Sequence, residues 1–202
     1  MDPTFVAISS IDTTCAVWDI VARKIKTQLI AHDKEVYDVA WSRNKDVFGT
    51  AGADGSLRLF DLRTLEHSSI MYEGPPGVPL LRLSWNKLNN FYVAVVAGDS
   101  LRTLILDVRM PSVPVAELSG TTAGHTAPIS SITWAPHSAC HICSGGDDSN
   151  ALIWDLTSLP KIVDDPFLAY TAEGPINNIA WSNAAPDWVS ISFNSQVQLL
   201  KV

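Results

Sequence analysis

The sequence predicts an all-β protein, a propeller built from repeated units of about four short strands. One observation behind this is a pattern that recurs in register along the chain. Another is that no stretch of useful length shows the period of an amphipathic helix. Each of the four units that follow the partial first one has a Trp at the end of its first strand. These tryptophans, Trp41, Trp85, Trp134 and Trp181, are 44, 49 and 47 residues apart.

The ends of the third strands are the most specific part of the pattern. They carry a Trp-Asp pair or a decayed form of it, at Trp18-Asp19, Phe60-Asp61, Leu106-Asp107 and Trp154-Asp155. A repeat of about 40–45 residues with a Trp-Asp ending is typical of a WD-repeat β-propeller. The sequence therefore predicts this fold, with about four to five blades present.

We assign residues 1–202 to a single propeller region, because no linker or low-complexity tract divides the chain. The predicted units are a partial blade at 1–30, blades at 31–73, 77–120 and 123–171, and a partial blade at 172–202. In the fourth unit, alternation and turn residues predict four strands. These are Ile129–Trp134, His141–Gly146, Ala151–Trp154 and Phe167–Thr171.

The stretch His137–Trp154, "HSACHICSGGDDSNALIW", raises the question of a metal or redox site. Cys140 and Cys143 are three apart on or beside a predicted strand, so their side chains face opposite sides. A redox dithiol would sit at a helix N-terminus, and structural zinc needs four ligands. The sequence therefore favours small buried side chains, and we expect no metal and no cofactor.

A polar network is expected in each unit. In WD repeats the Asp six residues before the Trp bonds a His ahead of the first strand, and a Ser or Thr continues to the indole. The sequence places Gly52 and Gly146 at the expected position of that hydroxyl, and only Asp99 and Ser100, or Asn194, at the Asp position of later units. The predicted structural residues are Ser10, Asp12, Trp18, His32, Asp54, His125, Asp148 and Trp154.

These His–Asp–Ser sets resemble hydrolase chemistry, but they recur once per repeat, which a catalytic triad does not do. We therefore expect no enzyme activity. The net charge of −7 argues against direct binding to nucleic acid, and no apolar run is long enough to cross a membrane. With three cysteines and no secretory leader, an intracellular protein of the cytoplasm and nucleus is expected.

Longer runs carry a narrower resemblance: "SSIDTTCAVWD", "TQLIAHDKEVYDVAWS", "ILDVRMPSVPVAEL" and "WAPHSACHICSGGDDSNALIWDL". They resemble the plant Transparent Testa Glabra and light-regulated WD proteins and their animal counterpart, a cullin-RING-associated, kinase-binding WD factor. The resemblance implies a seven-bladed scaffold without catalysis. It also implies three kinds of partner: transcription factors of the helix-loop-helix and MYB types, dual-specificity kinases, and the adaptor of a cullin-4-type ubiquitin ligase.

The resemblance also implies two blades upstream of this chain and a strand that closes the ring. A chain without them would expose sheet edges, which favour association. The alternative to an interaction scaffold is therefore a truncated WD-repeat protein with little autonomous function.

Two decayed Trp-Asp ends are followed by Arg, in "FDLR" and "LDVR". They resemble the Trp-Asp-x-Arg box with which WD receptors meet the cullin-4 adaptor. The partner-binding prediction is therefore Asp61, Arg63, Asp107 and Arg109. In the alternative, each Arg pairs with its neighbouring Asp and only ties down a turn.

Overall fold

The computed structural model describes residues 4–159, 163 and 165–202. The first three residues of the predicted first unit, and residues 160–162 and 164 of the fourth, lie outside this part. Every regular element in the described residues is a β-strand. The strands are β1 Phe5–Ser9, β2 Thr14–Asp19, β3 Lys24–Ile30, β4 Val36–Trp41, β5 Val47–Gly52, β6 Ser56–Asp61, β7 Ser69–Glu73, β8 Leu80–Trp85, β9 Tyr92–Ala97, β10 Thr103–Asp107, β11 Pro114–Leu118, β12 Ile129–Trp134, β13 His141–Gly146, β14 Asn150–Asp155, β15 Leu168–Thr171, β16 Ile176–Trp181, β17 Trp188–Phe193 and β18 Gln196–Lys201.

The strands form five sheets in which neighbours along the chain are neighbours in the sheet: β1–β3, β4–β7, β8–β11, β12–β15 and β16–β18. The pairs that β1–β7 and β9–β18 form within these sheets are antiparallel. The predicted fold class is therefore confirmed, as three- and four-stranded blades of a WD-repeat β-propeller. None of the described segments forms a helix with the length and hydropathy that a membrane crossing requires.

The chain forms two compact units, Met1–Leu83 and Ser84–Val202, whose boundary falls inside β8. In the first unit, Cys15 and Val17 of β2 pack with Val36, Phe48 and Phe60. The Phe48 and Phe60 rings stack with their centroids 5.3 Å apart. Alternation along these strands sends every second side chain to this core, as sheet geometry requires.

The second unit has two apolar clusters. One contains Trp134, Ile142 and Trp154, and the other contains Ile176 and Phe193 among its members. All five side chains are at least nine-tenths buried. The alternation in "ISSITW" that predicts the first strand of the fourth blade thus corresponds to a real division between core and outer faces.

The first strands of three sheets share an irregularity in register, a β-bulge beside Asp38, Ser131 and Asn178. The extra residue of a bulge is left out of the regular hydrogen-bond ladder between the strands. In the first unit the Asp38 carboxylate accepts the Leu83 amide at 2.8 Å. In the second unit the Ser131 hydroxyl accepts the Ile179 amide at 3.1 Å. Within each unit, therefore, the polar residue at a bulge links one sheet to the next.

Candidate functional site

A four-residue polar network is complete in the blade of β12–β15. The Nδ1 atom of His125 lies 3.1 Å from both carboxylate oxygens of Asp148, and its Nε2 lies 2.8 Å from the Ser144 hydroxyl. The indole Nε1 of Trp154 donates to the same hydroxyl at 2.9 Å. An ionised carboxylate can only accept, so Nδ1 of His125 donates to Asp148. In the neutral ring Nε2 is then an acceptor, and the Ser144 hydroxyl donates to it while accepting from Trp154.

The pKa directions agree with this arrangement. Burial lowers the pKa of His125, because desolvation of the charged ring outweighs the attraction of the Asp148 carboxylate. Burial alone would raise the pKa of Asp148, but hydrogen bonds from the Thr126 and Asn150 amides and contact with His125 lower it overall. At neutral pH the network therefore holds an ionised carboxylate against a neutral imidazole.

A shorter version is present in the blade of β4–β7. His32 bonds Asp54 through Nδ1 at 2.9 Å and the Thr50 hydroxyl through Nε2 at 2.7 Å. Phe60 stands where the Trp would be, so no indole extends the network. Arg58 adds a bond to Asp54 at 3.1 Å. The predicted pairs His32–Asp54 and His125–Asp148 are thus both brought together by the structure.

The position of the hydroxyl was predicted wrongly. The sequence pattern predicts it two residues before the Asp, at Gly52 and Gly146, whereas in the structure it lies four residues before, at Thr50 and Ser144. The glycines have another role. A Cβ on Gly52 would lie 2.6 Å from His32 Nδ1, and one on Gly146 would lie 2.9 Å from the equivalent atom of His125. Glycine therefore makes room for the imidazole.

The first sheet keeps only the turn. Asp12 accepts the Thr14 amide at 3.0 Å and its hydroxyl at 2.7 Å, while the Ser10 hydroxyl accepts the Asp12 amide at 3.3 Å. Four residues before Asp12 stands Ile8, which supplies no hydroxyl. Trp18 is 38% exposed. Asp12 and Ser10 thus stabilise a turn here without connecting to the indole.

The third blade replaces the network with apolar residues. The Ser100 hydroxyl accepts the Arg102 amide at 3.0 Å, which is the local bond that the Asp makes in other turns. Asp99 beside it has a positive φ of 55°. Val95 and Leu106 stand at the hydroxyl and Trp positions and are buried. Replacing all partners together leaves no buried polar group unpaired in this set, so the blade tolerates the change.

The four predicted partner-binding residues form two matching ion pairs. Arg63 binds Asp61 through Nη2 at 2.6 Å and Nε at 2.9 Å, and Arg109 binds Asp107 at the same two distances. Each Asp also accepts the Arg backbone amide at 2.9 Å. The Arg63 side chain and amide hold the pKa of Asp61 down at about 2. These are the contacts of the alternative expectation, in which each Arg stabilises its own turn by pairing with the neighbouring Asp.

Both arginines nevertheless remain at the surface. The side chains of Arg63 and Arg109 are 63% and 57% exposed. The Arg109 guanidinium also lies over the ring of Phe91, 4.0 Å from its centroid. The paired arrangement thus presents a guanidinium in a fixed orientation to solvent.

The cysteine-rich stretch has a packing role in the structure. Cys143 lies in β13 within the apolar cluster of the last two sheets, and burial raises the pKa of its thiol to about 12. Cys140 lies outside the strand and is half-buried. Across the residues that the structure describes, no group of three or more His, Cys, Asp or Glu side chains is arranged to hold a metal ion.

Comparison with known proteins agrees with the repeat assignment. The family model "WD domain, G-beta repeat" matches residues 23–61 and 116–155. The chain is 56% identical over 201 residues to the DDB1- and CUL4-associated factor 7 homolog of Dictyostelium discoideum, an alignment that covers all of this chain and 61% of that protein. It is 33% identical over 261 residues to an uncharacterized WD repeat-containing protein of Schizosaccharomyces pombe, covering all of this chain and 59% of the relative.

A WD repeat-containing protein of Saccharomyces cerevisiae is 39% identical over 177 residues, which cover 78% of this chain and 33% of the relative. The chain thus spans about three fifths or less of these relatives. The predicted WD repeats are confirmed, and similarity to a cullin-associated factor agrees with part of the predicted resemblance. The links to plant proteins and to kinases stay predictions.

Proposed function

We propose that this WD-repeat chain is part of a non-catalytic scaffold for protein–protein interactions, and that it serves as a substrate receptor of a cullin-4-type ubiquitin ligase. The observation that carries the proposal is the pair of exposed arginines, Arg63 and Arg109, each fixed by the Asp at the end of a third strand. The name of the Dictyostelium relative links that protein to DDB1 and CUL4. Transfer of this association to the present chain is part of the proposal.

The chemistry of the Asp–Arg turn suits recognition of a carboxylate. A guanidinium has five N–H donors in a planar fork, and the bond to the neighbouring Asp occupies two of its nitrogens. The remaining donors of Arg109 can pair with a partner carboxylate. Because the side chain is already ordered by Asp107, binding loses less rotamer entropy than it would for a free arginine.

Burial supports a role without catalysis. The Ser144 hydroxyl is 1% exposed, and His125 is 4% exposed. The hydroxyl already accepts from Trp154 and donates to the imidazole, so it is not presented to a substrate. The set therefore stabilises the blade, which is what we expect of a scaffold.

A second candidate is a scaffold in the cytoplasm and nucleus that joins transcription factors of the helix-loop-helix or MYB type, or dual-specificity kinases, without any ligase. The observation that favours it is the completeness of the Asp61–Arg63 and Asp107–Arg109 pairs, which explains both arginines by their own turns. The two candidates differ in whether the arginines contact an adaptor.

Charge reversal separates the two candidates. Arg63→Glu and Arg109→Glu, combined in the full-length protein expressed in cells, are expected to abolish recovery of the cullin-4 adaptor while kinase or transcription-factor partners are retained. The matched control is Arg102→Glu, because Arg102 is 61% exposed and paired with Glu117 on a strand edge. Adaptor recovery that is unchanged in the double variant would exclude the ligase role and leave the pure scaffold.

A further inference from the structure

A surface pocket of about 300 Å³ lies in the second unit, away from the polar networks. Its walls come from the ends of β8 and β12 and from the segment after β16. The side chains that matter for binding are Trp85, Lys87, Thr133, Trp134, Pro136 and Asn183. Of the described residues that line it, Lys87 is the one that carries a formal charge. The pocket is therefore a mostly apolar cleft with one cation.

The segment that carries Lys87 is held in place by Asn86, whose side chain is fully buried. The side-chain oxygen Oδ1 of Asn86 accepts the backbone amides of Leu88 and Asn89 at 2.9 and 2.8 Å. Its amide nitrogen donates to the Ala139 carbonyl at 2.8 Å in the corresponding segment of the next blade. Both neighbours of Lys87 are thus fixed, and the pocket is formed before any ligand binds.

The indoles are oriented by their own hydrogen bonds. Trp134 Nε1 donates to the Ser84 carbonyl at 3.0 Å, and Trp85 Nε1 donates to the Asn90 carbonyl at 2.9 Å. Their N–H groups are therefore satisfied within the protein, and the rings contribute apolar wall. Among the lining residues, Ser84, Thr133 and Asn183 have uncharged polar side chains.

Lys87 in the wall of the pocket makes a negatively charged group the complementary ligand. The Lys87 side chain reaches the surface, yet protein atoms crowd it enough that burial lowers its pKa. A carboxylate beside the ammonium would restore the lost solvation. An ammonium has three donors, so a carboxylate can be added to any contact that Lys87 already makes.

The surroundings indicate a protein segment as the source of the carboxylate. Leu88 and Phe91, from the same short segment as Lys87, are 44% and 45% exposed. The Arg109 guanidinium lies over the Phe91 ring. The backbone carbonyl of Phe91 accepts the Val108 amide at 2.9 Å. A partner segment with an acidic residue beside apolar ones would therefore complement Lys87 and the exposed apolar side chains of the same segment.

We propose that this pocket binds the side-chain carboxylate of a Glu or Asp in an extended segment of a protein partner, with apolar neighbours of that residue contacting Leu88 and Phe91. The inference rests on the scaffold function proposed above, and it adds a site distinct from the Asp–Arg turns.

The test uses two pools of fluorescein-labelled short peptides, identical except for a central Glu or Gln, with flanking positions randomised among Leu, Ile and Phe. Fluorescence anisotropy with the full-length protein is expected to show about tenfold tighter binding of the Glu pool, the scale of one charge-assisted hydrogen bond. Lys87→Gln is expected to abolish that preference. Lys87→Arg keeps the charge and is expected to keep most of it.

The matched control is Lys45→Gln, which removes a lysine from the segment after β4 and should leave the preference intact. Equal binding of the two pools by the wild type, or an unchanged preference in a folded Lys87→Gln protein, would overturn the proposal. So would glutarate that competes as strongly as the peptides, since the site would then select a small carboxylate. A Glu preference without any partner recovered from cells would support the pocket and contradict the scaffold function.

Discussion

The hydroxyl of Ser144 accepts a hydrogen bond from the indole of Trp154 at 2.9 Å, and this contact connects the third strand to the polar network of its blade. The Asp148 carboxylate can only accept, so the imidazole proton lies on Nδ1 and the neutral ring accepts the Ser144 proton at Nε2. The chain of bonds runs from the end of the third strand, through the second strand, to the turn ahead of the first. It therefore joins three segments of one blade.

Ser144→Ala is expected to lower the free energy of unfolding by about 1–3 kcal/mol, because Trp154 and His125 would each lose a buried partner. Urea denaturation measures the effect. The control is Ser190→Ala in β17, where the hydroxyl donates to the Ala180 carbonyl at an exposed site. A loss as large in Ser190→Ala would show that the network adds nothing beyond an ordinary serine.

Asp148→Ala removes the carboxylate at the other end of the network and is also expected to cost about 1–3 kcal/mol, since His125 Nδ1 and the Thr126 amide would lose their acceptor. Asp12→Ala is the comparison, because Asp12 lies in the same kind of turn but is exposed and has no His, and its effect should be smaller. The measurement is a denaturant melt of each variant. Loss of partner binding with an unchanged melt in Asp148→Ala would instead place Asp148 in a binding site.

Stability is expected to fall as the pH is lowered below about 6.5, the ordinary pKa of His. Burial lowers the folded-state pKa of both His32 and His125. Between those lowered values and about 6.5 the unfolded chain binds protons that the folded chain does not, so acid favours unfolding. The lowered pKa values of Asp54 and Asp148 add a further loss below about 4.

Urea melts at several pH values between neutral and about 5 measure how the free energy of unfolding changes with pH. This range brackets the ordinary pKa of His. In a double variant with His32 and His125 replaced by Gln, the unfolding free energy of the folded protein should change less with pH. His67→Gln, at an exposed position, is the control and should not. A slope that stays the same without the two buried imidazoles would contradict this assignment.

Gly52→Ala tests whether a glycine is required beside the His32 ring. Its Cβ would lie 2.6 Å from His32 Nδ1 and 3.0 Å from an Asp54 oxygen, closer than such atoms approach. We expect a loss of about 1–3 kcal/mol, the usual range for overpacking. In Gly74→Ala the new Cβ would lie at an ordinary 3.5 Å from the Gly55 carbonyl oxygen, so thermal melts should separate the two variants. Equal melts would show that the imidazole moves aside freely.

The strands and the His–Asp pairs were predictable because they depend on local spacing. Alternation within six residues defines a strand, and the offset of the turn Asp from the third-strand end is constant in the blades that have one. The hydroxyl position was less accessible. Second-strand residues four and two before the Asp share a face, so Ser144 and Gly146 were both compatible with the pattern. Only the contact between Gly146 and the His125 ring decides between them.

The Lys87 pocket was not predictable in this way. Its walls are the ends of two first strands and the segment after a third, from Ser84 to Asn183, which no sequence window contains together. The orientation of the Arg63 and Arg109 side chains was foreseen only as one of two alternatives. The sequence pattern alone suggested that each Arg either pairs with the adjacent Asp or is exposed to a partner. In the structure both arginines are paired and exposed.

The last prediction concerns the two carboxylates that hold those arginines. Asp61→Asn and Asp107→Asn, combined in the full-length protein, keep both arginines but replace each two-point ion pair by a weaker neutral contact. If the turns order Arg63 and Arg109 for an adaptor, its affinity should fall by about tenfold, through lost preorganisation, and less than in the double charge reversal.

Surface plasmon resonance with purified adaptor measures this loss, and most of it should appear as faster dissociation. Glu117→Gln, which breaks the exposed pair with Arg102, is the control and should leave adaptor affinity unchanged. Tighter adaptor binding in the Asn variants would have the opposite meaning. It would show that the carboxylates compete with the partner for the guanidinium groups, so that the Asp–Arg pairs weaken adaptor binding.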